Sequence, residues 1–139
     1  MTPDGLARIH ARAMVVPRPW SAETFKGFLS APGSVLAVSG AGFALGRVIA
    51  DEVELLTLAV DPEARRRGHA RACLAAFEAQ AVQKGAARAF LEVAATNAAA
   101  RALYASAGYA EDRVRRGYYV IPDGDAIDAT VMSKTLLPA

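Results

Sequence analysis

Apolar positions along this chain recur at helical spacing in some stretches and alternate in others, and the switches between the two lay out its elements. From Leu6 to Met14 the spacing is helical (Leu6, Ile9, Ala13), and Pro17 and Pro19 close the segment. Ser21 stands as an N-cap for a second helix, with Glu23 in the first turn, Phe25 and Phe28 on one face and an end near Pro32-Gly33. Two runs rich in small and β-branched residues, Ser34 to Ser39 and Phe43 to Ala50, flank Gly40-Ala41-Gly42 and predict a hairpin. Asp51-Glu52 then turns the chain into a strand from Val53 to Val60, completing an antiparallel meander.

After Gly68 the helical period returns. Ala70, Cys73, Leu74, Phe77 and Ala81 form one stripe that ends near Lys84-Gly85, where a glycine C-cap is expected. Arg88 to Ala94 reads as a strand and Asn97 to Ala107 as a helix stopped by Gly108. Short strands at Tyr109 to Arg115 and Ala129 to Lys134 finish the pattern, joined by a loop containing Tyr118, Tyr119 and Pro122-Asp123-Gly124. With 139 residues, 53% of them hydrophobic, residues 1–139 are expected to form a single α/β (α+β) domain with its own core.

Charge narrows the function classes. The formal net charge is only +2, so nothing marks a general polyelectrolyte for nucleic acid or anionic membrane. The basic character is local, at Arg65 to Arg71 and again at Arg113, Arg115 and Arg116, which suits a compact anionic ligand. One cysteine and two histidines leave no disulfide and no ligand set for a structural zinc. No leader pattern or bilayer-length apolar run is present, and a cytoplasmic protein is expected. The sequence assigns no oligomeric state.

The local charge falls where a strand, a proline-marked turn and a helix meet: Leu55 to Val60, Asp61-Pro62, then Arg65-Arg66-Arg67-Gly68-His69-Ala70-Arg71. A helix start leaves its first N–H groups unpaired and carries partial positive charge, so it can hold a pyrophosphate, with Gly68 admitting a close approach and the arginines adding charge. It is not a Walker A loop, since the glycine is not succeeded by Lys-Ser or Lys-Thr. Gly40-x-Gly42 with Gly46 imitates a dinucleotide fingerprint, but the third glycine is one position late and the residues after it read as a strand. His69 and Cys73, four apart, imitate a base and nucleophile; Cys73 falls in the apolar stripe and reads as a small buried hydrophobe.

Arg65-x-x-Gly68-x-Ala70 resembles the acyl-coenzyme A loop of the GNAT N-acetyltransferases. Leu91-Glu92-Val93, the run Thr96-Asn97-Ala98-Ala99-Ala100-Arg101-Ala102-Leu103-Tyr104 and Ala107-Gly108-Tyr109 match the second half of that family at the right distances. Pro19-Trp20-Ser21 and Arg115-Arg116-Gly117-Tyr118-Tyr119 resemble its RimI-type branch, the ribosomal-protein alanine N-acetyltransferases. The resemblance implies the GNAT fold: a central mixed, mostly antiparallel sheet flanked by helices, with acetyl-CoA in a gap between two parallel strands. Two departures stand out. His69 and Ala70 replace an apolar residue and glycine, and the usual strand ahead of the first helix is nearly absent.

Amine acetylation needs a neutral nucleophile, a polarised thioester carbonyl and a proton for the leaving thiolate. Glu92 interrupts the apolar run Ala89 to Val93 and can take the amine's proton directly or through water; simple alternation would instead turn it outward. The resemblance makes it the general base. Tyr104, a phenol ordinarily near pKa of about 10, can pass its proton to a thiolate whose thiol is near about 8.5, or can simply pack on the sheet; the resemblance makes it the proton donor. By the same resemblance main-chain N–H groups on Leu58-Ala59-Val60 hold the thioester oxygen and pantetheine. Arg65, Arg66, Arg67, Gly68, His69, Ala70 and Arg71 then cradle the pyrophosphate, and Asn97 reaches the pantetheine. No metal is required.

For the acceptor the resemblance implies a protein N-terminus, an alanine of a ribosomal protein, bound by Trp20, Tyr118 and Tyr119. Trp20 can equally be a hydrophobic staple onto the second helix. An α-amine (pKa about 7.7 to 8.0) costs roughly 3.5 kcal/mol less to neutralise at pH 7 than a lysine (about 10.4), which favours the terminus. The alternatives are a GNAT enzyme for a small amine or amino acid, a non-catalytic acyl-CoA-binding module, and an RNA-binding domain. The module needs neither Glu92 nor Tyr104, and RNA binding calls for a basic stripe interleaved with stacking rings that this chain lacks.

Overall fold

Among the described residues the periodicities become six strands and four α-helices: α1 (Pro3–Ala13), α2 (Ala22–Ser30), β1 (Ser34–Ser39), β2 (Gly42–Ile49), β3 (Glu52–Val60), α3 (His69–Gln83), β4 (Arg88–Ala94), α4 (Ala98–Ser106), β5 (Ala110–Val120) and β6 (Ala126–Thr135). The computed structural model describes residues 1–13, 20–64, 67–120 and 126–136; expectations resting on Met14, Pro17, Pro19, Arg65, Arg66 and Pro122-Asp123-Gly124 lie outside them. The strands make one sheet in the order β1-β2-β3-β4-β6-β5. Every neighbouring pair is antiparallel except β3 with β4, so the expected mixed, mostly antiparallel sheet is present.

Each face of the sheet has its own core. On one, the α3 stripe Cys73, Leu74, Phe77 and Ala81 packs on Val35, Val53, Leu55, Ala89 and Leu91. On the other, α1 and α2 bring Leu6, Ile9 and Phe25 against Phe43, Leu45 and Ala59. Ser21 caps α2, its hydroxyl accepting from Thr24 N at 3.2 Å. Ahead of α1 no strand occurs among the described residues. No helix among the described residues is long and apolar enough to cross a membrane.

A bulge in β3 decides which face each later residue of that strand meets. Leu45 pairs with Thr57 and Gly46 with Leu55, so Leu56 has no partner on β2. One extra residue inverts the alternation of faces. Val53 and Leu55 belong to the α3 core, whereas Thr57 bonds to His10 of α1 and Ala59 joins the α1–α2 core. The parallel pairing with β4 stops at the same level: it runs from Glu52↔Arg88 to Leu55↔Leu91 and no further, although β3 continues to Val60 and β4 to Ala94.

One expectation is corrected at the other edge. Tyr118 and Tyr119 lie in β5, not in a loop. Arg115 pairs with Ala129 and Tyr119 with Ile127, so Arg116, Gly117 and Tyr118 stand opposite the single residue Asp128. Gly117 takes φ +63°, where a Cβ is disfavoured, and its N–H donates to Asp128 Oδ1 at 2.8 Å. This wide bulge broke the alternation by which a strand is read, although the pairing with β6 carries on beyond it.

Candidate active site

Where β3 and β4 part, the molecule opens. A cavity of about 660 Å³ lies between the ends of these strands and the helices α3 and α4. Leu58, Ala59 and Val60 form one wall, Gly68, His69, Ala70 and Arg71 another, and Asn97, Ala100, Leu103 and Tyr104 a third. A narrower throat of about 70 Å³ continues between Leu55–Leu58 and Leu91–Ala94, reaching Glu92, Tyr104 and Tyr119.

The first wall offers main chain. Beyond Leu55 the edge of β3 that faced β4 has no strand beside it, so its polar groups are open to a ligand. The second is the start of α3. Gly68 sits there at φ +78°, no side chain caps the helix, and its first internal bond comes only at Ala72 N to Gly68 O. The N–H groups before it, at a positive helix end, suit a phosphate. Arg71 Nη2 meanwhile donates to Ser106 Oγ at 2.6 Å, bridging α3 and α4 beside the cavity. Asn97 caps α4 through Oδ1, which accepts from Ala100 N at 3.1 Å, so its amide N–H groups stay available. Arg67 is exposed and off the cavity lining; Arg65 and Arg66 fall outside the described residues.

Glu92 is half-buried on β4. Its carboxylate is paired with the Arg115 guanidinium, which also lies 4.2 Å from the centroid of the Tyr118 ring. A hydrogen bond to Glu92 raises the Tyr118 phenol above its ordinary range, and the Glu92 charge adds to the effect. Burial, reinforced by Glu92, pushes Tyr119 up to about 12. Tyr104 is buried, edge-on to Tyr109 with centroids 5.9 Å apart. Burial, then Tyr119, raises it far above an ordinary phenol, so it is held protonated in the free protein. Glu92 and Tyr104 thus face one throat from different elements, and Tyr119 shares it.

Other candidates are placed differently. Trp20 lines neither cavity; it stacks on Phe28 at 4.9 Å and abuts His10 and Phe25, which is staple-like packing. Tyr118 reaches Glu92 from outside the throat. Cys73 is fully buried, its thiol pushed up by burial, while His69 Nδ1 lies 3.4 Å from Ser39 Oγ. No nucleophile–base pair forms there. Among the described residues no His, Cys, Asp and Glu cluster could hold a metal. Sequence reasoning gave no role to Arg115 beside Glu92, because 23 positions separate the pair and β6 lies between their strands.

Comparison with known proteins identifies the family and the fold. Residues 8–109 match the family model described as the Acetyltransferase (GNAT) family. The [Ribosomal protein bS18]-alanine N-acetyltransferase of Escherichia coli K12 is 39% identical over 139 residues, covering 95% of this chain and 91% of the relative. The N-alpha-acetyltransferase RimI of Mycobacterium tuberculosis is 36% identical, covering 86% and 80%. Among solved structures, the ribosomal-protein-S18-alanine N-acetyltransferase from Escherichia coli superposes with a TM-score of 0.86 at 35% identity, covering 99% of this chain and 89% of that one.

Proposed function

Because the chain belongs to the GNAT acetyltransferase family, we propose that it transfers the acetyl group of acetyl-CoA to the α-amino group of a protein N-terminus, an alanine of a ribosomal protein. The observation that carries the reading is the convergence of Glu92 and Tyr104 on one throat at the point where β3 and β4 separate. The printed names of the relatives support the acceptor. Such an acceptor places the enzyme in the cytoplasm.

The cavity fits the donor. Its open β3 edge, uncapped α3 start and spare Asn97 amide offer hydrogen-bond donors to pantetheine and pyrophosphate. Bound acetyl-CoA supplies an acyl thioester. Glu92 accepts the proton that the acceptor ammonium must lose, directly or across a water, leaving a nitrogen lone pair to form the new C–N bond. Main-chain N–H groups of Leu58–Val60 donate to the carbonyl oxygen as negative charge gathers on it. Tyr104 gives its proton to the sulfur as the C–S bond breaks; the second N–H proton that the acylated nitrogen must shed to become an amide passes to solvent, and solvent reprotonates Tyr104. No step calls for a metal.

The test is acetyl transfer to two peptides of one sequence, one with a free N-terminal alanine and a blocked lysine, the other reversed, with the modified nitrogen mapped by mass spectrometry. Acetylation of the free terminus is expected. Modification of the lysine alone overturns the acceptor assignment.

A further inference from the structure

Arg115 is seated on the Tyr118 ring and paired with Glu92, and the bulge anchored by Gly117 and Asp128 fixes this end of β5. From the opposite side comes a second carboxylate. Glu54 on β3 is the partner of Phe90 on β4, and Glu92 lies two residues beyond Phe90, so Glu54 and Glu92 are diagonal neighbours on one face. The Glu52–Arg88 ion pair, at 2.7 Å, lies on that face as well. Glu54 is half-buried and makes no hydrogen bond or ion pair among the described residues.

We propose that Arg115 and Glu54 are positioning residues of opposite sign for the base: Arg115 clamps the Glu92 carboxylate and favours its charge, Glu54 opposes that charge, and together they set the pH below which the site loses its base. The inference rests on Glu92 being the base. Arg115 is exposed, but Glu92 and Glu54 are half-buried and the two carboxylates sense one another: burial first, then Glu92, raises Glu54 above the usual carboxylate range, while Arg47 and Arg115 pull it down. The other titratable groups around Glu92 are Tyr118 and Tyr119 from β5 and Tyr104 from α4; its partner on β6 is the uncharged Val131, beyond which Arg113 of β5 pairs with Val131 on the same face.

The experiment is the pH dependence of kcat at saturating acetyl-CoA and N-terminal alanine peptide, with Kd for CoA measured alongside. The acceptor's own protonation is common to every variant and cancels in the comparison. Arg115→Gln should move the acid limb up by about one pH unit. Glu54→Gln should move it down by a smaller amount, and Arg115→Lys, which keeps the charge, should return it close to wild type. Kd for CoA should stay within twofold throughout. A residue that only braces β5 would lower kcat at all pH values without moving the limb, and that result, or limbs moving in the same direction, overturns the proposal. Glu92→Gln separates the two readings: full turnover in that variant sinks the base assignment itself, whereas a dead Glu92→Gln with unmoved limbs sinks only this inference.

Discussion

His10 of α1 donates from Nε2 to Thr57 Oγ1 at 2.9 Å, while its Nδ1 accepts the N–H of Trp20 at 2.9 Å. An accepting Nδ1 places the ring proton on Nε2, so one neutral tautomer satisfies both bonds and ties α1 to the bulged strand and to the entry of α2. The ring has no exposed surface, and burial lowers its pKa from 6.5 to about 4. The folded state resists the proton that the unfolded chain takes up. Stability is therefore complete above about pH 6.5 and declines as pH falls toward about 4, by about 2 kcal/mol between pH 7.5 and 5. Urea unfolding at these two pH values should show this decline in the wild type, and His10→Gln, less stable at pH 7.5, should lack this part of it.

Replacing Glu92 by Gln keeps shape and removes basicity. Turnover should fall by about 10²- to 10⁴-fold at neutral pH, with the affinity for acetyl-CoA little changed, because Glu92 lies in the throat and not on the larger cavity. Steady-state kinetics beside calorimetry checks both halves.

Tyr104→Phe keeps the ring that meets Tyr109 edge-on and deletes only the hydroxyl. A proton donor lost from the leaving thiolate should cost about 10²-fold or more in kcat. The melting temperature should hold within a few degrees, since packing is retained. Unchanged kcat would return Tyr104 to the core and nothing else.

Gly68→Val tests the phosphate end. A Cβ there would meet no atom of the described residues within 4 Å; the strain comes from φ +78°, which costs a β-branched residue about 1 to 2 kcal/mol. Crowding then falls on the ligand. Affinity should drop both for CoA and for a nucleotide fragment that keeps the pyrophosphate, and calorimetry showing neither loss would remove the site.

The strands and helices that carry these residues were readable because each is locally unambiguous. Arg88–Ala94 ends where its apolar run ends, and the caps Ser21 and Asn97 mark the starts of α2 and α4. The two bulges were not readable, for opposite reasons. Leu55-Leu56-Thr57-Leu58 is apolar on both sides, so an inverted alternation leaves no trace in it. From Glu111 to Tyr118, β5 is exposed on both faces at the sheet edge, and only its hydrogen bonds to β6 reveal it as a strand. The Glu92–Arg115 contact spans from β4 across β6 to β5 and so was hidden with the edge strand that carries Arg115.

Four residue pairs are all that join β3 to β4, reinforced at their closed end by Ala87 N to Asp51 O at 2.6 Å. The sheet is therefore two half-sheets sharing a short seam, and of the amides along Leu58–Val60 those that point away from β2 have a protection that depends on whatever fills the gap. In hydrogen exchange those amides should open without global unfolding and slow sharply when CoA is added, while Val53 and Leu55, inside the seam, should change little. A donor molecule lying along β3 then stands in for the strand that the fold withholds, and the two halves exchange as one unit only in its presence.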